Sequence, residues 1–142
     1  MDVQVNYLAV FLAGLASMAV GAVWYAQSVF GRTWAKLAKV DMSKKVSGSE
    51  MAVLMGGTFV ISLITAYVMA HVTFLSNSFY TGNSWMSSAL QTAGWAWLGF
   101  TAVRFTTHDM FEARPRELTL LNIGYELVTF LAMGLVIGLL KP

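Results

Sequence analysis

The chain has 142 residues, 57% of them hydrophobic and 11% charged, with a formal net charge of +2. Soluble domains carry about 25% charged residues, so this chain lacks the charge to cover a water-exposed core, and its mean hydropathy of +0.63 fits lipid as the outer solvent. It contains no cysteine, which excludes disulfides, thiolate metal sites and a cysteine nucleophile, and so small a positive balance gives no basis for a nucleic-acid partner.

Four apolar segments follow one another at about 5–28, 51–75, 84–107 and 118–140. Each approaches or exceeds the ~20 residues that a helix needs to cross ~30 Å of hydrocarbon. All four are apolar around most of their circumference, unlike the one-sided helices of a soluble bundle. The fold class predicted is an all-α membrane protein: one domain over 1–142 with four transmembrane helices and a short interfacial helix after the first.

The first segment is preceded by Asp2 and by no Lys or Arg. Its apolar run exceeds that of a cleavable signal, so it is expected to stay as a helix. Ala9, Ala13, Ser17 and Gly21 recur every four residues and form one small-residue stripe, the pattern that lets helix backbones approach closely in lipid. The connection at 29–50 holds Arg32, Lys36, Lys39, Lys44 and Lys45. Phe30, Trp34, Leu37 and Ala38 recur at helical spacing among these charges, which predicts an amphipathic helix on the membrane surface with Trp34, Lys36 and Lys39 at the interface. Ser47 or Ser49 is placed to cap the next helix.

The second segment carries a polar stripe of Thr58, Ser62 and Thr65. Met51 and Met55 are one turn apart and read as packing, because no other soft ligand accompanies them. The connection that follows, SNSFYTGN, has no charge. On the third segment Thr101, Arg104 and His108 align. The connection HDMFEARPRE brings Arg114 and Arg116, with Pro115 suited to a turn or helix start and Glu117 to a first turn. The fourth segment places Thr119, Asn122, Glu126 and Thr129 within an arc of about 80°, while Gly134 and Gly138 make a G-x-x-x-G step on another face. Trp24, Tyr25, Trp34, Tyr80 and Trp85 fall near predicted helix ends, where an aromatic belt is expected.

Four crossings put the two basic connections on one side. The positive-inside rule then makes 29–50 cytoplasmic and both termini external, as in a bacterial inner membrane. Catalytic and cofactor motifs are lacking: there is no phosphate loop, nucleophile elbow or paired-histidine metal motif. His71 and His108 fall at opposite ends of this topology and cannot share a metal. Cofactor and metal are both read as none, and an enzyme is not expected.

The polar residues within the helices are the remaining signal. Glu126, Arg104, Asn122, Thr129 and Thr101 form the candidate intramembrane cluster. Ala13, Ser17, Gly21, Gly134 and Gly138 form the candidate packing set, within the chain or between copies. Glu126 lies about eight residues into the fourth helix, and side chains lean toward their own helix N-terminus, so Glu126 and Arg104 are expected to lean toward each other and pair. Two function classes follow: a small-solute or proton-coupled path, built as a homo-oligomer around Glu126, or a structural or accessory subunit that packs with a partner protein or lipid of the bilayer.

The opening NYLAVFLAG, then GAVWY, FGRTW and WLGF, and finally FEARPRELTLLNIGYELVTFLAMGLVIGL, resemble a family of small bacterial and fungal membrane proteins of the domain of unknown function 1761 type. The resemblance runs over essentially the whole chain. It implies a four-helix integral membrane domain and supplies no activity. It also implies that histidine often follows the Gly-Tyr pair. Here that position is Glu126, which separates this side chain from any inherited role.

The absence of cysteine makes the topology testable. Single cysteines at Ser47 and Ser78 should react differently with an impermeant thiol reagent in intact cells: labelling at 78 and protection at 47. The reverse pattern overturns the orientation.

Overall fold

The computed structural model describes residues 2–142, and every regular element among them is helical. The elements are α1 (Tyr7–Trp24), α2 (Gly31–Ala38), α3 (Gly48–Phe79), α4 (Trp85–Ala96), a π turn (Trp97–Ala102), α5 (Val103–Phe111) and α6 (Arg116–Leu139). Three of them, α1, α3 and α6, are long and apolar enough to cross a membrane. The predicted third crossing is divided. Trp85 to Phe111 runs as helix throughout, but its middle six residues form the π turn, and neither flanking piece reaches crossing length by itself.

Local chemistry sets the helix ends. Asn6 caps α1 by accepting from Ala9 N–H at 3.1 Å. Ser47 caps α3 in a reciprocal box: its hydroxyl accepts from Glu50 N–H at 3.2 Å, and its own N–H donates to Glu50 Oε2 at 2.9 Å. This satisfies two otherwise orphan donors. Ser84 caps α4 by a single bond, accepting from Ser87 N–H at 3.2 Å. Pro115 precedes α6, and Glu117 lies in its first turn. In the loop before α3, Asp41 accepts from the Ser43 hydroxyl at 2.7 Å and from its backbone N–H at 2.9 Å. These two bonds, the hydroxyl's first, hold the Asp41 carboxyl below its ordinary range.

α6 is the common strut. It packs against α1 on one side and α4 on the other, while α3 bridges α1 and α4. The contact is close because the residues are small. Ala13, Ala66, Ala89 and Ala93 are completely buried. A Cβ on Gly134 would lie 2.9 Å from Ala93 Cβ and 3.1 Å from Ala89 O, and one on Gly138 would meet Met86 Sδ at 2.5 Å. The G-x-x-x-G step therefore seats α4 within the same chain. Met133 and Ile137 fill the space between. Large apolar side chains such as Val60, Ile64 and Leu139 point outward instead.

Polar clasps close one end of the bundle. Asn6 Nδ2 donates to Lys141 O at 2.9 Å, Trp85 Nε1 to Ile137 O at 2.8 Å, and Asn77 Nδ2 to Ser88 Oγ at 3.1 Å. Both basic connections lie at the opposite end. There α2 folds back onto α6. Its packed face is Gly31, Trp34, Ala35 and Ala38, while Arg32, Lys36 and Lys39 are exposed. Trp24, Tyr25, Phe30, Trp34 and Tyr125 form one aromatic cluster with ring centroids 4.6 to 6.3 Å apart. Three of the sequence stretches singled out above, GAVWY, FGRTW and NIGY, thus meet at a single place.

Beyond the π turn the bundle opens. α5 packs chiefly on α6, and the first turns of α3 stand exposed opposite it, with open space around Gly56 and Gly57.

Gly31 is the tightest point of the aromatic end, since any Cβ there would press on the Tyr25 carbonyl oxygen and come within 2.9 Å of Ala26 O. Gly31→Ala should destabilise the protein by about 1–3 kcal/mol. Gly56→Ala, with no neighbour to meet, should be neutral or stabilising by up to about 1 kcal/mol. Thermal unfolding of both variants in detergent checks the contrast; equal melting temperatures would contradict it.

Candidate functional site

Polar stripes from three long elements and the π turn converge on one cavity of about 260 Å³. Its walls are Ser17 from α1, Thr58, Ser62 and Thr65 from α3, Thr101 from the π turn, and Tyr125, Glu126 and Thr129 from α6. Phe105, Phe130, Met133 and Ile61 supply its apolar surface. It lies in the gap where α3 and α5 diverge, above the level at which the Ser17 and Ser62 hydroxyls join at 3.0 Å. On α6, Glu126 follows Arg116 by ten residues, roughly 15 Å along the axis, so it sits well inside the helix and away from either end.

The hydrogen-bond state of these groups differs sharply. Thr58 and Thr65 return their hydroxyl protons to Leu54 O and Ile61 O at 2.8 and 3.1 Å, the usual local bond for threonine in a helix. Thr129 is 5% exposed, and its Oγ1 has no partner. The Glu126 carboxylate takes part in no hydrogen bond or ion pair among the described residues, where Arg114 alone forms salt bridges, to Asp109 and Glu112. The expected Arg104–Glu126 pair is therefore not formed. Arg104 is exposed and lines a separate cavity of about 400 Å³ with Phe100, His108, Glu112 and Asn122. Thr101 borders both spaces. Arg104 meets α6 at Asn122, four residues or roughly 6 Å nearer the N-terminus of that helix than Glu126.

The candidate cluster is thus split. Glu126, Thr129 and Thr101 share one cavity, and Arg104 and Asn122 line its neighbour. Of the packing set, Ala13 and Ser17 are buried where α1 meets α3, Gly21 lies under the Tyr125 hydroxyl (a Cβ there would be 3.3 Å away), and Gly134 and Gly138 hold α4. Ser17, read as a packing residue, is also a cavity wall. Phe105, Tyr125 and Phe130 had no place in the sequence reading, because an aromatic residue in an apolar run looks the same whether it faces lipid or a cavity. Trp97 is a further addition: its Nε1 donates to Ile123 O at 2.8 Å and ties the π turn to α6.

A second polar corner lies where α5 meets α6. Thr119 Oγ1 donates to Asp109 Oδ2 at 2.6 Å, and Arg114 N–H to Asp109 O at 2.9 Å. Arg114 Nε donates to Glu112 Oε2 at 2.6 Å, which raises the guanidinium's proton affinity. Ala113, at φ +52°, makes the turn. The run Phe111-Glu112-Ala113-Arg114-Pro115 is thereby accounted for as a hinge that fixes the start of α6. Asp109 is engaged by Thr119, while its neighbour His108 is exposed. Among the described residues no three His, Cys, Asp or Glu side chains gather as metal ligands.

Compared with known proteins, residues 8–138 match a family described as "Protein of unknown function (DUF1761)". No curated protein and no solved structure matches the chain.

The separation of Arg104 from Glu126 predicts independent energetics. In a double-mutant cycle followed by detergent unfolding, Glu126→Gln and Arg104→Met should add to within about 0.3–0.5 kcal/mol. Asp109→Ala and Thr119→Val should instead couple by more than about 0.5 kcal/mol. Coupling in the first pair, or none in the second, would contradict the geometry.

Proposed function

The chain belongs to the DUF1761 family, whose description assigns no activity, and we propose that it is a four-span integral membrane protein whose Glu126 cavity handles a small solute or protons. The helical run from Trp85 to Phe111 supplies the fourth crossing, at roughly 40 Å end to end. Both termini are then outside the cytoplasm, across a bacterial inner membrane, and α2 lies on the cytoplasmic face with Arg32, Lys36 and Lys39 toward anionic lipid.

One observation carries the reading. The polar stripes converge, yet they are not used up by one another. Only Ser17 and Ser62 bond between helices at this site; Thr129 Oγ1 and Glu126 are left facing an open volume. A polar stripe that served only as helix glue would be consumed in interhelical bonds, whereas an ionisable residue kept at membrane depth beside a cavity marks a pathway or proton site. A second reading, an oligomer or accessory subunit, is favoured by a different feature. The first turns of α3 are exposed and apolar, with bare Gly56 and Gly57, and would accept another helix.

The test is flux. Wild-type protein and Glu126→Gln are reconstituted in liposomes enclosing a pH-sensitive dye, and proton or solute gradients are imposed. Wild-type vesicles should equilibrate faster than empty ones, and Glu126→Gln should fall to the empty-vesicle rate. A wild-type rate equal to that of empty liposomes under every gradient, with the protein folded and inserted, would remove the transport reading.

A further inference from the structure

We infer that the Glu126 cavity takes a small organic ammonium ion in exchange for the Glu126 proton; this rests on the cavity being the working site proposed above. The charge inventory of the walls decides the sign. Glu126 is the one side chain among the lining residues that becomes ionic, apart from the weakly acidic Tyr125, and no Lys, Arg or His lines the space. An anion there would face a carboxylate with no cation to offset it. A divalent ion would leave one charge uncompensated, and no second carboxylate stands within the cavity. A monovalent cation balances Glu126 alone, which low-dielectric surroundings favour.

The walls also decide what kind of monovalent cation. Hydroxyls of Ser17, Thr58, Ser62, Thr65, Thr101 and Thr129 surround the site. Thr129 Oγ1, nine-tenths buried, makes no hydrogen bond of good geometry and lies beside the Tyr125 hydroxyl, so it can still accept from a donor in the cavity. An ammonium head supplies N–H donors to both the carboxylate and that hydroxyl. Three aromatic rings, Phe105, Tyr125 and Phe130, with Met133 and Ile61, line the rest. They suit an apolar or aromatic body and attract a cation through their faces. At about 260 Å³ the space is below the ~300–1,000 Å³ of drug-sized sites, so the guest is small.

The proton balance follows. The single carboxyl is neutralised either by a proton or by the cation. Entry of R–NH₃⁺ turns Glu–COOH into Glu–COO⁻ paired with R–NH₃⁺ and releases one H⁺ to water; no other bond forms or breaks. The titratable groups facing Glu126 are Tyr125 on α6 and Tyr25 at the end of α1, while Arg104 on α5 lines the separate cavity beyond Thr101. α3 and α4 present none at this level. One proton leaves per cation bound, so apparent affinity should rise about tenfold per pH unit wherever the free carboxyl is protonated.

The experiment uses the purified full chain in nanodiscs with benzylammonium as probe and benzoate as its anionic counterpart. Calorimetry in buffers of different ionisation enthalpy counts protons. Benzylammonium should bind with release of about one proton, and benzoate should not bind. Glu126→Gln should weaken benzylammonium by roughly tenfold or more. Thr65→Leu, whose hydroxyl bonds only its own backbone, should fill the cavity and weaken binding while the melting temperature stays put, which keeps the test valid if Glu126→Gln folds poorly. Benzoate binding as well as benzylammonium, binding without proton release, or unchanged binding in both variants would overturn the inference. Glu126-dependent proton flux in liposomes together with no benzylammonium binding would overturn it while leaving the proposed function standing; loss of both would remove the two together.

Discussion

Everything in this fold depends on how closely α6 can approach its neighbours. A helix flanked by glycine and alanine sits nearer its partner than one flanked by leucine, and dispersion between backbones replaces side-chain burial as the cohesive term. Gly134 and Gly138 leave no room for a methyl group against Ala93, Ala89 and Met86. That contact fixes α4, α4 directs the π turn, and the π turn determines which side chains reach the Glu126 cavity. At the other end Gly21 and Gly31 do the same for the aromatic cluster, one by admitting the Tyr125 hydroxyl and the other by admitting the Tyr25 carbonyl. The chain is held by its smallest residues, and its large apolar ones mostly face outward.

Much of this is legible in the sequence because it depends on local rules. Apolar runs locate the long helices, Ser47 three residues before Glu50 announces a capping box, and alternating bulk and charge after Phe30 locate α2. The boundaries moved where a specific contact intervened. The first helix stops at Trp24 rather than near 28, because the chain turns there to seat Gly31 beneath Tyr25. The second extends from Gly48 to Phe79, since Ser47 caps it early and Asn77 is tied down by Asn83 O and Ser88.

The site was half visible. The polar stripes of α3 and α6 follow from helical periodicity, and they do converge on one cavity. The Arg104–Glu126 pair was expected from depth and lean alone, and Arg104 instead meets α6 at Asn122, one turn short of Glu126. Nothing in the six residues WLGFTA declares a π turn. It is stabilised from outside, by the Trp97 indole reaching Ile123 O across to α6, and a tertiary bond of that kind leaves no periodic trace. The same limit hid Tyr125, whose role comes from the rings of Trp24 and Tyr25 at the end of α1.

The length of α3 has a mechanical consequence. Its 32 residues span about 48 Å, against about 36 Å for α6 and about 30 Å of hydrocarbon. A helix that overshoots the bilayer tilts, or its end emerges, at a small cost per ångström. α6 is clamped on two sides and cannot tilt by itself. α3 is clamped from Phe59 onward, through Phe11, Gly14, Ser17, Ala66, Met69 and Ala70, and its first turns are exposed. In a bilayer, adjustment to thickness would therefore fall on the turns before Phe59, with the pivot between Phe59 and Ser62. Thr58 lies at that pivot, so the lipid around such a helix would bear on the width of the cleft over Glu126.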